Sequence, residues 1–189
     1  MTTYNEIAGL RVNYLGSDPT LNTGNEGQVW YNSTSGTLKS LVQLKAWSAG
    51  GNMATARTYL AGCGTQTAGL GFGGFTTTAV ANTEEYDGSA WTAGGSLNTA
   101  RRELAGAGTQ TAGLAFGGNT GSISAATEQY DGTAWVSAPS MATARNLLAG
   151  CGTQTVGLAF GGQSPSLSAA TEEWSGPQTT ATASTLTTS

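Results

Sequence analysis

Hydrophobic positions in this chain come in short runs of four to six residues, each closed by glycine or a small polar turn residue. No window carries the i, i+3, i+4 recurrence of an amphipathic helix, so the pattern predicts strands throughout. In the middle of the chain, Leu104–Gly108 reads as a strand of small residues, with a turn at Thr109-Gln110-Thr111. Ala112–Phe116 reads as the next strand, closed by Gly117-Gly118. A loop over 119–125 leads to a third strand at Thr127–Tyr130, an Asp131-Gly132 turn, and a fourth strand at Ala134–Ser137. Asp-Gly and Gly-Gly stand where hairpins need positive φ.

The same phrase occurs three times. Trp47, Trp91 and Trp135 recur every 44 residues, as do Arg57, Arg101 and Arg145, and the double glycines at 73, 117 and 161. An insertion-free period of this length means one supersecondary unit used repeatedly. The first copy opens at Trp47 with a fourth-strand phrase, and the last ends at Thr171–Trp174 with a third-strand phrase. The N-terminal phrase is therefore the piece the last copy lacks. Pairing the two, within one chain or between chains, would remove an exposed sheet edge. The organisation expected is a hairpin segment over 1–46, repeats over 47–174 and a Thr/Ser-rich tail over 175–189. In the first segment, Ala8–Leu15 is a strand candidate ended by a Gly16–Pro19 turn. A polar link follows over 22–27. Gln28–Tyr31 and Thr37–Leu44 then form a hairpin about the Asn32–Gly36 turn.

Composition removes several functions. A net charge of −4 with seven Lys plus Arg offers no basic patch for nucleic acid. No apolar run is long enough for a membrane span, and MTTYNEIAGL has no basic or apolar signal regions, so no secretory leader is expected. Histidine is absent, which removes the commonest general base and neutral metal ligand; no cofactor and no metal are expected. Cys63 and Cys151 sit where the second copy has Ala107, so a small side chain is the requirement there rather than thiol chemistry. The GLGFGG run at 69–74 precedes no helix and lacks a Lys-Ser/Thr, so it is strand geometry, not a phosphate loop. Glu84-Glu85 and Glu172-Glu173 point to opposite strand faces and cannot flank one glycosidic bond. An enzyme is disfavoured.

Arg57, Arg101 and Arg145 match Glu84, Glu128 and Glu172 in number, which suggests one Arg–carboxylate pair per unit. The alternative is a threefold set of anion- or sugar-binding arginines. Trp47, Trp91 and Trp135 read as packing between units rather than sugar platforms. Trp30 and Tyr31 are the docking candidates of the first segment. The loops over 75–82, 119–125 and 163–169 vary freely among the copies and should emerge on one rim. They make Phe75, Thr77, Asn119, Thr120, Gln163 and Ser164 the recognition candidates.

In its phrases LGFGG…EEYDGSAW…TAR, LAFGG…EQYDGTAW…TAR and LAFGG…EEW, the repeat resembles the kelch unit. That resemblance implies a four-stranded propeller blade per copy, although three blades are fewer than the usual four. The fold expected is thus all-β: three kelch-like units after an N-terminal hairpin. They would form either propeller blades completed by oligomerisation or a self-closed, pseudo-threefold β-prism-like ring; a trefoil suits the motif placement less well. The phrase GQVWYNSTSGTLK (27–39), with its upstream Ser-Asp-Pro turn, resembles segments of bacteriophage tail and fibre proteins. It implies a non-enzymatic virion protein (tail, fibre or surface decoration) assembled in the host cytoplasm. Its partners would be other virion proteins and copies of itself, with host-surface glycans as a further expectation. A lectin-like carbohydrate-binding protein and a cellular kelch-type adaptor are the alternatives.

Overall fold

In a computed structural model, the residues described are 3–7, 10–20, 28–40 and 47–176. All of their regular structure is β, arranged as four sheets of three or four strands. The chain divides into two compact units, Met1–Ala49 and Gly50–Ser189. The polar link, the end of the expected return strand and most of the Thr/Ser-rich tail lie outside the described residues.

The N-terminal unit is a sheet of β1 (Thr3–Ile7), β2 (Leu10–Leu15), β3 (Val29–Asn32) and β4 (Thr37–Ser40), in that order. The hairpin forms as the turn chemistry predicts, with Asn32 opposite Thr37 and Gly36 at φ 67°. Asn32 starts the turn by accepting the amide protons of Thr34 and Ser35, both at 3.0 Å. Two features go beyond the sequence reading. β1 pairs antiparallel with β2, and β2 runs parallel to β3.

The second unit holds three repeat sheets. The first is β5 (Ala61–Thr65), β6 (Ala68–Phe72), β7 (Thr83–Tyr86) and β8 (Trp91–Gly94). The second is β9 (Ala105–Thr109), β10 (Ala112–Phe116), β11 (Thr127–Tyr130) and β12 (Trp135–Ala138). The third has only β13 (Ala149–Gly152), β14 (Val156–Phe160) and β15 (Thr171–Ser175). Within each, neighbouring strands pair antiparallel in one register, so Phe72, Phe116 and Phe160 lie opposite Thr83, Thr127 and Thr171. The first strand of each copy starts one residue later than expected, because Tyr59, Glu103 and Leu147 sit at φ 55°, 59° and 53° and kink the chain before it.

The sheets stack through their first strands, β9 lying between β5 and β13. Glycine permits the approach: a Cβ on Gly106 would lie 2.5 Å from Cζ of Phe72, and one on Gly150 would collide with Cζ of Phe116. Two cores result. One gathers Leu70, Phe72, Leu97, Leu104, Tyr130 and Trp135 between the first and second sheets. The other gathers Leu114, Phe116, Leu148 and Ala159 between the second and third.

Two expectations are corrected. Residues 47–57 form no strand, and Trp47 is fully exposed, unlike the buried Trp135. Trp135 stands on a strand paired with β11 and packs on Phe72 of the preceding sheet, whereas Trp47 belongs to no strand and has no sheet of its own to seat it. Among the described residues the repeat sheets also form no closed ring: they are three separate sheets, and Phe160 on the third is 39% exposed where Phe116 on the second is buried.

Candidate functional site

Each repeat contains one arginine paired with the glutamate 27 residues on, and in the second and third repeats the pair is part of one shared clamp. Arg101 donates from Nη2 to Glu128 Oε1 at 2.8 Å, and from Nη1 to the carbonyls of Gly117 and Ala126 at 3.0 and 2.6 Å. Glu128 Oε2 accepts the Asn98 amide at 2.7 Å. Arg145 reproduces the set with Glu172 at 2.9 Å and the carbonyls of Gly161 and Ala170. Arg57 pairs with Glu84 at 2.6 Å, and Glu84 accepts the Ala54 amide at 2.7 Å. The clamp ties the loop before the first strand of a sheet to the ends of its second and third strands. All three guanidinium groups are wholly buried. The structure therefore holds the structural pair and not a set of arginines open to anions or sugars. Such a pair fixes the loop's position more than it adds net stability, since desolvation offsets much of the Coulomb gain.

The junction between sheets has its own chemistry. Trp135 donates from Nε1 to Thr83 Oγ1 at 2.9 Å and lies 4.8 Å from the Phe72 ring, both in the preceding sheet. Tyr130 donates to Glu85 Oε1 at 2.5 Å and accepts the Gly95 amide. Burial, reinforced by the hydrogen bond to Glu85, pushes the Tyr130 hydroxyl up to about 12. Gln110 donates to the carbonyls of Gly69 and Tyr86, and Gln154 repeats this on Gly113 and Tyr130. The Gly74 and Gly118 amides reach the carbonyls of Arg101 and Arg145, each at 2.8 Å. The sequence reading missed Gln110, Gln154, Tyr130 and Glu85. The available signal was Thr-Gln-Thr, repeated at 65–67, 109–111 and 153–155.

The junction of the second and third sheets keeps the glutamine and glycine bonds but has no counterpart of Trp135 among the described residues. An open cavity of about 260 Å³ lies between the second and third sheets. Its lining includes Phe116, Thr127, Met141, Leu158, Glu173 and Trp174. Phe116 and Thr127 stand 44 residues after Phe72 and Thr83, so the cavity occupies the place that Trp135 fills one junction earlier.

Phe75, Asn119 and Gln163 anchor the three variable loops at equivalent positions, each forming backbone bridges on both sides. Phe75 is half-buried beneath Arg102, whose guanidinium carbon is 4.7 Å from the ring centre. Thr77 and Thr120 are exposed, and Ser164 is half-buried. Trp30 is not a docking surface: it is 4% exposed and donates to Asp18 Oδ1 at 3.0 Å. Asn32 and Lys39 donate to the same carboxylate at 2.8 and 2.6 Å. These bonds, Lys39 foremost, lower the Asp18 pKa to about 2. Tyr31 packs on Tyr14 with ring centres 4.5 Å apart. Thus the Asp, Trp, Asn and Lys of the N-terminal phrase form one hydrogen-bonded cluster. Cys63 and Cys151 are unbonded, and burial pushes the Cys63 thiol up to about 11. Among the described residues no His/Cys/Asp/Glu cluster could hold a metal ion, and no helix is long and apolar enough to cross a membrane.

The class these features define is an all-β repeat protein whose buried polar groups serve the junctions between sheets. No protein-family model matches the chain, and no curated protein sequence matches it either.

Proposed function

We propose that this protein is a non-enzymatic structural component of a bacteriophage virion (tail, fibre or surface decoration) that works by associating with copies of itself and with other virion proteins. The observation that carries the reading is the unlike pair of ends of the repeat array. The third sheet offers Phe160, Leu158 and the cavity, uncovered. The first offers Gln66 and Trp91, the counterparts of Gln110 and Trp135, which at the internal junction bind the preceding sheet. Unlike, complementary ends make head-to-tail contacts, which close into rings or continue as filaments. Kelch-like blades completed by such contacts are the arrangement this favours. The virion assignment rests on the phrase at 27–39, whose side chains support one another through Asp18. The variable loops, with Thr77 and Thr120 exposed, are the surface for host contact. Sedimentation and native mass measurement test self-association; a monomer at all concentrations would refute it. Mass spectrometry of purified particles tests the location, and absence of the chain from particles would refute that. Glycan binding lost on exchanging the loops, without particle incorporation, would favour a lectin.

A further inference from the structure

We infer that residues 47–50 of a second copy add to the third sheet as its fourth strand, with the indole of Trp47 filling the cavity beside Phe116 and Thr127. This rests on the self-association proposed above and names the segment that performs it.

Three observations converge. The first is the shape of what is missing. The first and second sheets each have four strands, and the third ends at β15 with an unpaired edge among the described residues. At the complete junction Trp135 packs on Phe72 and donates to Thr83. At the incomplete one, Phe116 and Thr127 face the cavity. The residue 44 positions after Trp135 is Thr179, so the chain's own tail carries no indole for that place.

The second is an indole without a place. Trp47 stands 44 residues before Trp91, in the phrase Trp47–Gly50, and is fully exposed. A fully exposed tryptophan is uncommon on a monomer surface and frequent in binding hot spots.

The third is direction. At the internal junction Gly94 ends the fourth strand of the first sheet. A Cβ there would lie 2.7 Å from the Tyr130 hydroxyl of the second sheet. Gly50 is placed identically: its Cβ would lie 2.8 Å from the Tyr86 hydroxyl of the first sheet. The chain at Gly50 therefore enters the first sheet as a fourth strand leaves a preceding one. The sheet that precedes it belongs to another copy, because this copy's third sheet is uncovered.

Register follows from the period. Tyr130 pairs with Trp135 and Thr127 with Ala138; Tyr86 pairs with Trp91 and Thr83 with Gly94. Trp174 then pairs with the second copy's Trp47, Glu173 with its Ser48, and Thr171 with its Gly50. Pairing satisfies the open edge of β15 and buries the exposed ring.

Full-length chain carrying Cys63→Ala and Cys151→Ala, the residue found at the matching position 107, is the background for the test. Ser48→Cys with Glu173→Cys should give disulfide-linked species of two or more chains under oxidation, and either cysteine alone should not. In parallel, Trp47→Ala, an exposed site whose change leaves the monomer fold intact, should weaken self-association by about 30-fold or more. A cross-link confined to one chain would overturn the inference, as would self-association unaffected by Trp47→Ala without a cross-link. The latter leaves the assembly reading standing. A monomeric parent protein would sink both.

Discussion

The second and third repeat sheets have nearly the same sequence and different surroundings. Phe116 is 3% exposed and Phe160 39%; the Glu128 side chain is 3% exposed and that of Glu172 24%. The hydrogen bonds inside the two sheets hardly differ, with Arg–Glu distances of 2.8 and 2.9 Å. Burial here is thus set by what surrounds the first three strands, the fourth strand and the next sheet, whereas the clamp is built within those strands and the loop before them. Each repeat builds its own skeleton and relies on a neighbour to dry it. A sheet without that neighbour keeps its bonds but leaves part of its apolar surface in water, the term that drives association.

The largest expected effect comes from breaking a clamp on both sides of this comparison. Arg101→Met strands the Glu128 carboxylate in a dry site and should cost about 3–5 kcal/mol. Arg145→Met should cost distinctly less in the isolated chain, because Glu172 is open to water. Denaturant titration of the two variants measures both. Equal losses would mean that neither the fourth strand nor the neighbouring sheet sets the dielectric around the carboxylate.

Next in size are the aromatic pair. Phe116→Ala removes a ring packed against Gly150 and should cost about 3–5 kcal/mol in unfolding. Phe160→Ala should change monomer stability by less than about 1 kcal/mol, since the ring is already partly hydrated. If the third sheet docks on another copy, Phe160→Ala should weaken association instead. Melting temperatures recorded over a range of chain concentrations separate the two effects, because only an association term moves the midpoint with concentration.

Much of this architecture is legible in the residues. The period identifies the unit, Asp-Gly and Gly-Gly mark the turns, and matching counts of arginine and glutamate anticipate the clamp. What escapes is contact that depends on a neighbour. Gln110 resembles any turn glutamine until the carbonyls of Gly69 and Tyr86 in the sheet before it are seen. Trp47 carries the same local phrase as Trp91 and Trp135, so local pattern assigns all three to the core. Their difference lies in their surroundings: Trp135 has its own sheet and one before it, Trp91 has its own sheet with no repeat sheet before it, and Trp47 lies in no strand. The parallel pairing of β2 with β3 is similarly non-local, set by side chains converging on Asp18 across 12 to 21 residues.

A smaller effect than loss of a clamp or a buried ring distinguishes junction chemistry from sheet chemistry by pH. Tyr130→Phe removes the bond to Glu85 and the acceptor for the Gly95 amide, and should cost about 1–3 kcal/mol. The Tyr130 hydroxyl titrates at about 12 in the folded protein, above the value near 10 of an unfolded tyrosine. The native state thus holds this proton more tightly. The stability it contributes is complete below pH 10 and is lost as pH rises from 10 through 12. Tyr130→Phe should lack that part of the alkaline decline, so wild type and variant converge in stability as pH approaches 12. Unfolding midpoints between pH 8 and 12 test this, and parallel declines would show that the first and second sheets are not coupled through this hydroxyl.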